Sequence, residues 1–254
     1  TTTVQDKQGQ RTLLAVTHIS KNILVQKPLP SKKAAEVTQT QILLGESGLE
    51  KGKLTLDALH LNPSTTQQIN QAGGNYIIQA KGNQSILKQQ LQEVEASQIP
   101  IGSYLTAEKG HGRIELRRGR CFDVSELDYA ERWSHSGFAT LIVMERKTTK
   151  KQKTTEETSF YLSNHKFSEA QPSQGRELFD AIRGHWGVES DNWVRDVTFQ
   201  EDSVRTKSGN QAQVMAGLRT LAMQLFRQAK ISNMMAALDD FCDSNKLLGN
   251  SWKG

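Results

Sequence analysis

The sequence predicts an α/β protein with a mixed sheet, and three observations carry that prediction. Residues 11 to 97 alternate between short apolar runs and segments with helical patterning. The hydrophobic period then changes to two between about residues 100 and 165, and after Pro172 the chain reads as helix almost to its end. Two hairpin strands followed by helix, strand, helix and strand need a sheet with both antiparallel and parallel neighbours.

The elements follow in order. RTLLAVTHIS (11–20) and NILVQKPL (22–29) read as strands joined by a turn at Ser20-Lys21-Asn22, and Asp6-Lys7-Gln8-Gly9 forms a turn leading into them. Ser31 is placed to cap a helix over 31–46 carrying Ala34, Ala35, Val37, Ile42 and Leu44. Lys53-Leu54-Thr55-Leu56-Asp57 is a short alternating strand that stops at a carboxylate. Pro63 opens a helix to Ala72, which Gly73-Gly74 ends. Residues 75–80 are an apolar strand, and Lys81-Gly82-Asn83-Gln84 turns the chain into a helix ending near Ser97. IELRRGRCFDV, FATLIVMERKT and TSFYLSN are strand-like, with the basic run between the last two as their turn. This predicts three parts: 1–98, a β-rich insertion over 99–168, and a helical part over 169–254. In the last, Val214, Leu218, Leu221 and Leu225 mark one face of a long helix, and Met234, Leu238 and Phe241 mark a shorter one.

Composition narrows the classes. Of 254 residues, 36% are apolar and 23% charged, too apolar for a disordered chain and without collagen or coiled-coil bias. The best apolar run, Leu141-Ile142-Val143-Met144, is far short of the roughly 20 residues of a membrane helix. The opening TTTVQDKQGQ lacks the apolar core of a signal peptide. Cys121 and Cys242 are too few for a disulfide framework or a cysteine zinc site. The expectation is a soluble, intracellular type of protein.

The net charge is only +5, but it is unevenly spread. Arg113, Arg117, Arg118 and Arg120 fall within eight residues, and Arg146, Lys147, Lys150, Lys151 and Lys153 form a second cluster with no acid inside it. Such clusters neutralise phosphates in nucleic-acid proteins, or else make a solvated hairpin with a basic tip. Strand alternation puts Arg113 and Arg117 on one face and Arg118 and Arg120 on the other, so at most one face serves DNA. Arg146 to Lys153, without an apolar stripe, is expected to be an exposed loop or hairpin tip.

Two carboxylates stand out. Leu178, Ile182, His185, Trp186, Glu189 and Trp193 share one stripe at about 100° per residue, with Glu189 near its middle. A carboxylate there is a metal ligand, or more commonly the partner of Arg183, His185 or another base. Asp57 closes a strand, where ligands of open α/β sheets collect, although a turn-forming Asp is the commoner reading. Together the two suit a hard divalent cation, Mg²⁺ or Mn²⁺, with a third carboxylate still to be supplied. His60, His111 and His185 show no metal-type pairing, which argues against zinc. No phosphate loop, Gly-x-Ser-x-Gly element or Cys/His pair is present.

LTLDALH, AGGNYIIQAKGNQ, GHGRIELRR and RGHWGVESDNWVRDVTFQEDSVRTKSGN, in that order, resemble the DDE transposases of bacterial insertion sequences, in the H-repeat-associated or ISAs-type group. The resemblance runs from about residue 11 to 241. It implies an RNase H-like core with a β-rich insertion, Asp57 as the second catalytic carboxylate and Glu189 as the third. It also implies metal-assisted attack of water, and then of a DNA 3′-hydroxyl, on a phosphodiester. The partners it implies are duplex transposon ends and target DNA, held by a homodimer in the bacterial cytoplasm at the nucleoid. Lys81, Arg183 and His185 are supporting candidates. The family's first carboxylate lies in an Asp-Gly-Lys element on a preceding strand. None occurs here, and Asp6 falls in the following turn, so the expectation is a fragment without activity of its own or a degenerate copy. Where relatives carry a Lys seven residues after the Glu, this chain has Asp196, leaving Arg205 to supply positive charge. A DNA strand-transfer enzyme and a non-catalytic DNA-binding remnant both remain open. On the first reading, strands near 11–20, 22–29, 53–57 and 75–80 share one sheet, and the helix through 176–190 packs on it with Glu189 near Asp57.

Overall fold

The structure is a computed structural model that describes residues 2–5, 11–18, 23–29, 34–110, 112–151, 153–167, 172–199, 209–231 and 233–251. The chain divides into two compact units, one made mainly of residues 32–186 and the other of 3–31 with 187–254. The fold is α/β, with a mixed sheet flanked by helices, consistent with an RNase H-like transposase fold.

The first unit is built on a six-stranded sheet. Its strands are β4 (Lys53–Leu56), β5 (Asn75–Ala80), β6 (Gly102–Gly110), β7 (Arg113–Asp123), β8 (Thr140–Lys150) and β9 (Lys153–Ser163), in the spatial order β4-β5-β9-β8-β7-β6. Only β4 and β5 pair in parallel, because the helix α2 (Pro63–Gln71) crosses between them. Asn62 caps α2 by accepting the Thr65 N–H at 2.9 Å, Pro63 occupies the first turn, and Gly73 at φ 79 ends the helix. The other helices of this unit are α1 (Ala34–Ser47), α3 (Ser85–Ser97) and the first part of α4 (Pro172–Val197).

Side-chain alternation divides this sheet into two cores. Leu56, Tyr76, Ile78, Phe122, Leu141, Val143, Phe160 and Leu162 face Leu44, Ile69, Leu87, Leu91 and Val94 from α1, α2 and α3. Ile77, Cys121, Ile142, Met144 and Tyr161 face Leu178, Phe179 and Ile182 of α4. Being covered on both faces explains why Leu141 to Met144 is a continuous apolar run. The approach of α4 is close: a Cβ on Gly119 would lie 2.2 Å from the Phe179 ring, which also stacks on Tyr104 at 5.4 Å.

The second unit contains β1 (Thr2–Gln5), β2 (Arg11–Val16) and β3 (Ile23–Leu29) in the order β1-β2-β3, with α5 (Gly209–Gln228) and α6 (Met234–Ser251). The hairpin strands therefore do not share a sheet with 53–57 and 75–80 as expected. The central strand β2 has β1 on one edge and β3 on the other, so its backbone groups are already paired, while β5 takes β9 on the edge away from β4. Within this unit α5 packs on β3, burying Ala216 and Met223. The stripe Val214, Leu218, Leu221 and Leu225 lies on the opposite, exposed side.

A second correction concerns the basic run. Residues 146–150 and Lys153 are strand and not turn: β8 continues to Lys150 and β9 begins at Lys153, with Lys151 at φ 45. The expected turns at 6–9 and 20–22, the cap Ser31, and the residues His111 and Arg205 lie outside the described residues.

Candidate active site

Asp57 follows directly on β4. Its backbone stays extended (φ −68°, ψ 159°), so the strand's alternation continues through it and puts Lys53, Thr55 and Asp57 in one series. Thr55 stands opposite Ile77, a residue of the core under α4, so this series points to the α4 side of the sheet. The Asp57 side chain is exposed, and its Oδ1 accepts the Ala58 N–H at 2.6 Å, starting a short 3-10 turn over Ala58–His60. The turn-forming reading of Asp57 is thus correct as far as it goes, and the second carboxylate oxygen is not used by that bond.

The KGNQ segment braces this turn. Asn83 Nδ2 donates to the Ala58 carbonyl at 2.9 Å, and Gln84 Nε2 donates to the Leu61 carbonyl at 2.9 Å. Because β4 and β5 are parallel, the loops after them lie at the same sheet end, and Lys81, exposed, lies there with Asp57. Beneath them His60 is buried, and burial pushes its pKa down to about 4, so the imidazole is neutral at pH 7. Burial also pushes the Cys121 thiol up to about 12, which keeps it protonated and unsuited to nucleophilic work.

On the other side of the site, α4 is tied to the sheet at several points. Thr55 Oγ1 and His185 Nδ1 share a hydrogen bond of 2.9 Å, and Lys53 Nζ lies 3.3 Å from Glu177 Oε2. Arg183 donates to Glu108 of β6 at 2.5 Å. Glu108 also accepts from Arg117 at 2.9 Å, and Arg117 and Arg113 both bond the buried Glu115. The Arg117 hydrogen bond, reinforced by Arg183, holds the Glu108 carboxyl below the usual carboxylate range. Arg146 stacks over the Trp186 ring, 4.9 Å from its centroid. These links were not legible as a set: Thr55 and Glu108 carry no sequence signal beyond strand alternation.

Glu189 lies on α4, and its side chain is outside the described residues. Among the described residues no group of three or more His, Cys, Asp or Glu is arranged to hold a metal ion. The basic residues divide sharply. Arg117 is engaged by Glu108 and Glu115, Arg120 by Glu95 and Glu145, Arg146 by Glu157 at 2.6 Å and Lys147 by Glu156 at 2.8 Å. The acids missing from the second cluster in sequence are thus provided by the facing strand. Gly110, Arg113, Lys150 and Lys153 are partners across four strands, so Arg113, Lys150, Lys151 and Lys153 gather at one end of the sheet. Among the described residues no helix is long and apolar enough to cross a membrane.

A strand-end carboxylate and a basic sheet edge lie on one α/β core. In the family comparison, the transposase DDE domain model matches residues 3–225, and the chain belongs to that family. It is 28% identical over 209 residues to "Putative protein YbfL" of Escherichia coli K12, covering 79% of this chain and 54% of that protein. Against the "H repeat-associated putative transposase YhhI" of the same strain the figures are 27%, 79% and 54%. Against "Putative transposase YncI" of Escherichia coli O157:H7 they are 29%, 78% and 51%. The chain spans about half the length of the curated relatives it matches. The family generally uses divalent metal ions.

Proposed function

We propose that this chain forms the catalytic core of a DNA strand-transfer transposase, cutting and joining phosphodiesters at the ends of an insertion sequence. Asp57 and Glu189 are its second and third carboxylates, in an RNase H-like core that continues into a β-rich segment over 99–168 and the helical part beyond 169. The observation that carries the reading is the hydrogen bond between Thr55 and His185: it ties the strand running into Asp57 to the helix that carries Glu189 one turn further on.

The donor chemistry fits a hard cation. Asp57 is exposed, keeps one carboxylate oxygen outside its turn bond, and stands beside an imidazole held neutral by burial. Asp57 and Glu189 would hold Mg²⁺ or Mn²⁺, which would supply Lewis-acid activation for attack by water and then by a DNA 3′-hydroxyl. The remaining work belongs to the chain itself. Lys81, at the sheet end with Asp57, is placed to neutralise a phosphate, and Arg205 supplies further positive charge. Lys150, Lys151 and Lys153 bind duplex DNA through its backbone without reading sequence. Arg113, Arg117, Arg146 and Lys147, already engaged by carboxylates, shape that surface and contribute less. Transposon ends are brought together by a homodimer of the protein, acting in the cytoplasm at the nucleoid.

The test is nicking of supercoiled DNA by the full-length protein in Mn²⁺. Glu189→Gln is expected to abolish nicking and leave DNA affinity within about twofold, since Gln is nearly isosteric but lacks the charge that holds a hard cation. Full nicking by that variant removes Glu189 from the site.

A further inference from the structure

We propose that Arg132 binds a phosphate of the DNA strand that enters at the sheet end holding Asp57; the inference rests on the reading of Asp57 as part of a DNA site. Arg132 belongs to neither basic cluster of the sequence. It lies in the connection between β7 and β8, in a short 3-10 turn over Glu131–Trp133. A continuous set of hydrogen bonds nevertheless leads from it to Asp57. Its Nη2 donates to Gln84 Oε1 at 3.0 Å, and the other end of that amide, Nε2, donates to the Leu61 carbonyl at 2.9 Å. The Leu61 N–H in turn donates to the Ala58 carbonyl at 3.1 Å, and the Ala58 N–H donates to the Asp57 carboxylate. Gln84 belongs to the loop after β5, which the parallel pairing of β4 and β5 puts at the Asp57 end of the sheet. All of these residues lie in the first unit.

The way this arginine is held sets it apart. Arg113, Arg117, Arg120, Arg146, Arg176 and Arg183 of the same unit each face a carboxylate. Arg132 faces none among the described residues, its exposed neighbour Glu131 included. Its partners are the neutral Gln84 amide and the Trp133 ring, whose centroid lies 5.1 Å from the guanidinium carbon. Trp133 is buried and packs against Phe138 at 5.3 Å, so the ring is a fixed platform. Ordering a long side chain costs rotamer entropy, and here that ordering neutralises no charge. What it achieves is a full positive charge kept at one exposed spot, already arranged for an anion. Gln84 takes one N–H of the planar fork, and the remaining donors suit the oxygens of a phosphate. Lys81, exposed and three residues before Gln84 in the same loop, adds a second positive charge at this end.

The experiment is the salt dependence of binding between the full-length protein and duplex DNA of arbitrary sequence, with thermal melting of every variant. Arg132→Gln is expected to flatten the log–log slope by about 0.9, the share of one phosphate. Arg132→Lys keeps the charge without the fork and is expected to hold the slope within about 0.3 of wild type. In nicking of supercoiled DNA in Mn²⁺, Arg132→Gln should raise KM and leave kcat within about twofold, as the loss of a contact made equally before and during reaction. An unchanged slope in Arg132→Gln would overturn the proposal, and a fall in kcat in its place would make Arg132 only a brace for the Asp57 turn. A slope flattened as much by Arg132→Lys as by Arg132→Gln would overturn it too, since charge would then not be what the DNA meets. Asp57→Asn separates this inference from the reading beneath it. If that variant still nicks, the reading of Asp57 fails, and the placement of the Arg132 phosphate at a reacting end falls with it. If Asp57→Asn is inactive and the Arg132→Gln slope is that of wild type, the Arg132 contact alone falls.

Discussion

The strands β8 and β9 are two different materials at their two ends. At the inner end Leu141, Ile142, Val143 and Leu162 are fully buried, covered on one face by α3 and on the other by α4. From Glu145 outward the same strands carry Arg146, Lys147, Lys150, Lys153, Glu156 and Glu157, and little covers them. The backbone ladder is continuous through both halves, pairing Thr140 with Ser163 at one end and Lys150 with Lys153 at the other. What changes is the source of stability: burial of apolar area at the inner end, and ladder hydrogen bonds with solvent-screened ion pairs at the outer end.

The largest test of this contrast is a pair of truncations on one strand. Leu162→Ala, at 0% exposure, is expected to cost about 2–5 kcal/mol, the range for a buried leucine that leaves a cavity. Thr158→Ala, four residues away and exposed, should cost under about 0.5 kcal/mol. Urea melts measure both. Similar losses would mean that the outer half is packed as tightly as the inner.

The same contrast explains which parts of the molecule were legible in sequence. Strand 75–80 and the helix ending at Ser97 come out as expected, because Gly73-Gly74 and Lys81-Gly82 punctuate a strong apolar pattern. Asp57 and the helix bearing Glu189 were legible for similar local reasons: a carboxylate at a strand end, and a helical stripe. The partition of strands between sheets was not legible, since pairing across 86 residues, as between Ile77 and Ser163, leaves no local trace. Nor was the neutralisation of the basic run, because Glu156 and Glu157 face Lys147 and Arg146 only once the hairpin register is set. Adjacency in sequence made five cations look like one patch, while the sheet separates paired flanks from a basic tip. The apolar stripe of α5 is the converse case: its periodicity is helical as expected, yet Leu218 and Leu225 remain 54% and 53% exposed while the smaller Ala216 is buried.

The buried turn after β4 should likewise be intolerant of charge, and His60 reports on that. Its folded pKa of about 4 lies below the 6.5 of the free side chain, with burial as the main cause and the negative Asp57 opposing it. The unfolded state therefore binds the proton first. The stability is fully present above pH 6.5 and is lost as pH falls from 6.5 through 4, by about 3 kcal/mol in all. His60→Leu should flatten this part of the profile, and denaturant melts of both proteins between pH 7 and 4 give the difference. Parallel profiles would show that His60 keeps solvent access.

The basic tip and the paired flank should separate in DNA binding. Each phosphate contact contributes about 0.9 to the log–log salt slope, so neutralising Lys150, Lys151 and Lys153 should flatten the slope by up to about three units. The comparison variant is Lys147→Gln, whose charge is already met by Glu156, and it should move the slope by less than about 0.5. Fluorescence anisotropy on duplex DNA of arbitrary sequence, from low to moderate salt, measures both. An unchanged slope in the triple variant leaves the tip only a solubilising role.

The smallest expected effect lies in the flank itself. Lys147 and Glu156 are bonded at 2.8 Å, and the Lys147 hydrogen bond draws the Glu156 carboxyl below its usual range. Both side chains are more than half exposed, so water screens their attraction, and holding two long side chains together costs rotamer entropy. A double-mutant cycle with Lys147→Met and Glu156→Gln should accordingly give only a small coupling, shrinking as salt is raised. Arg146 and Glu157 form the neighbouring pair but add the stacking on Trp186, so their cycle should be larger and less sensitive to salt. If the two cycles are equal and equally screened, the Trp186 contact contributes nothing, and the hairpin is held to α4 by its buried inner end alone.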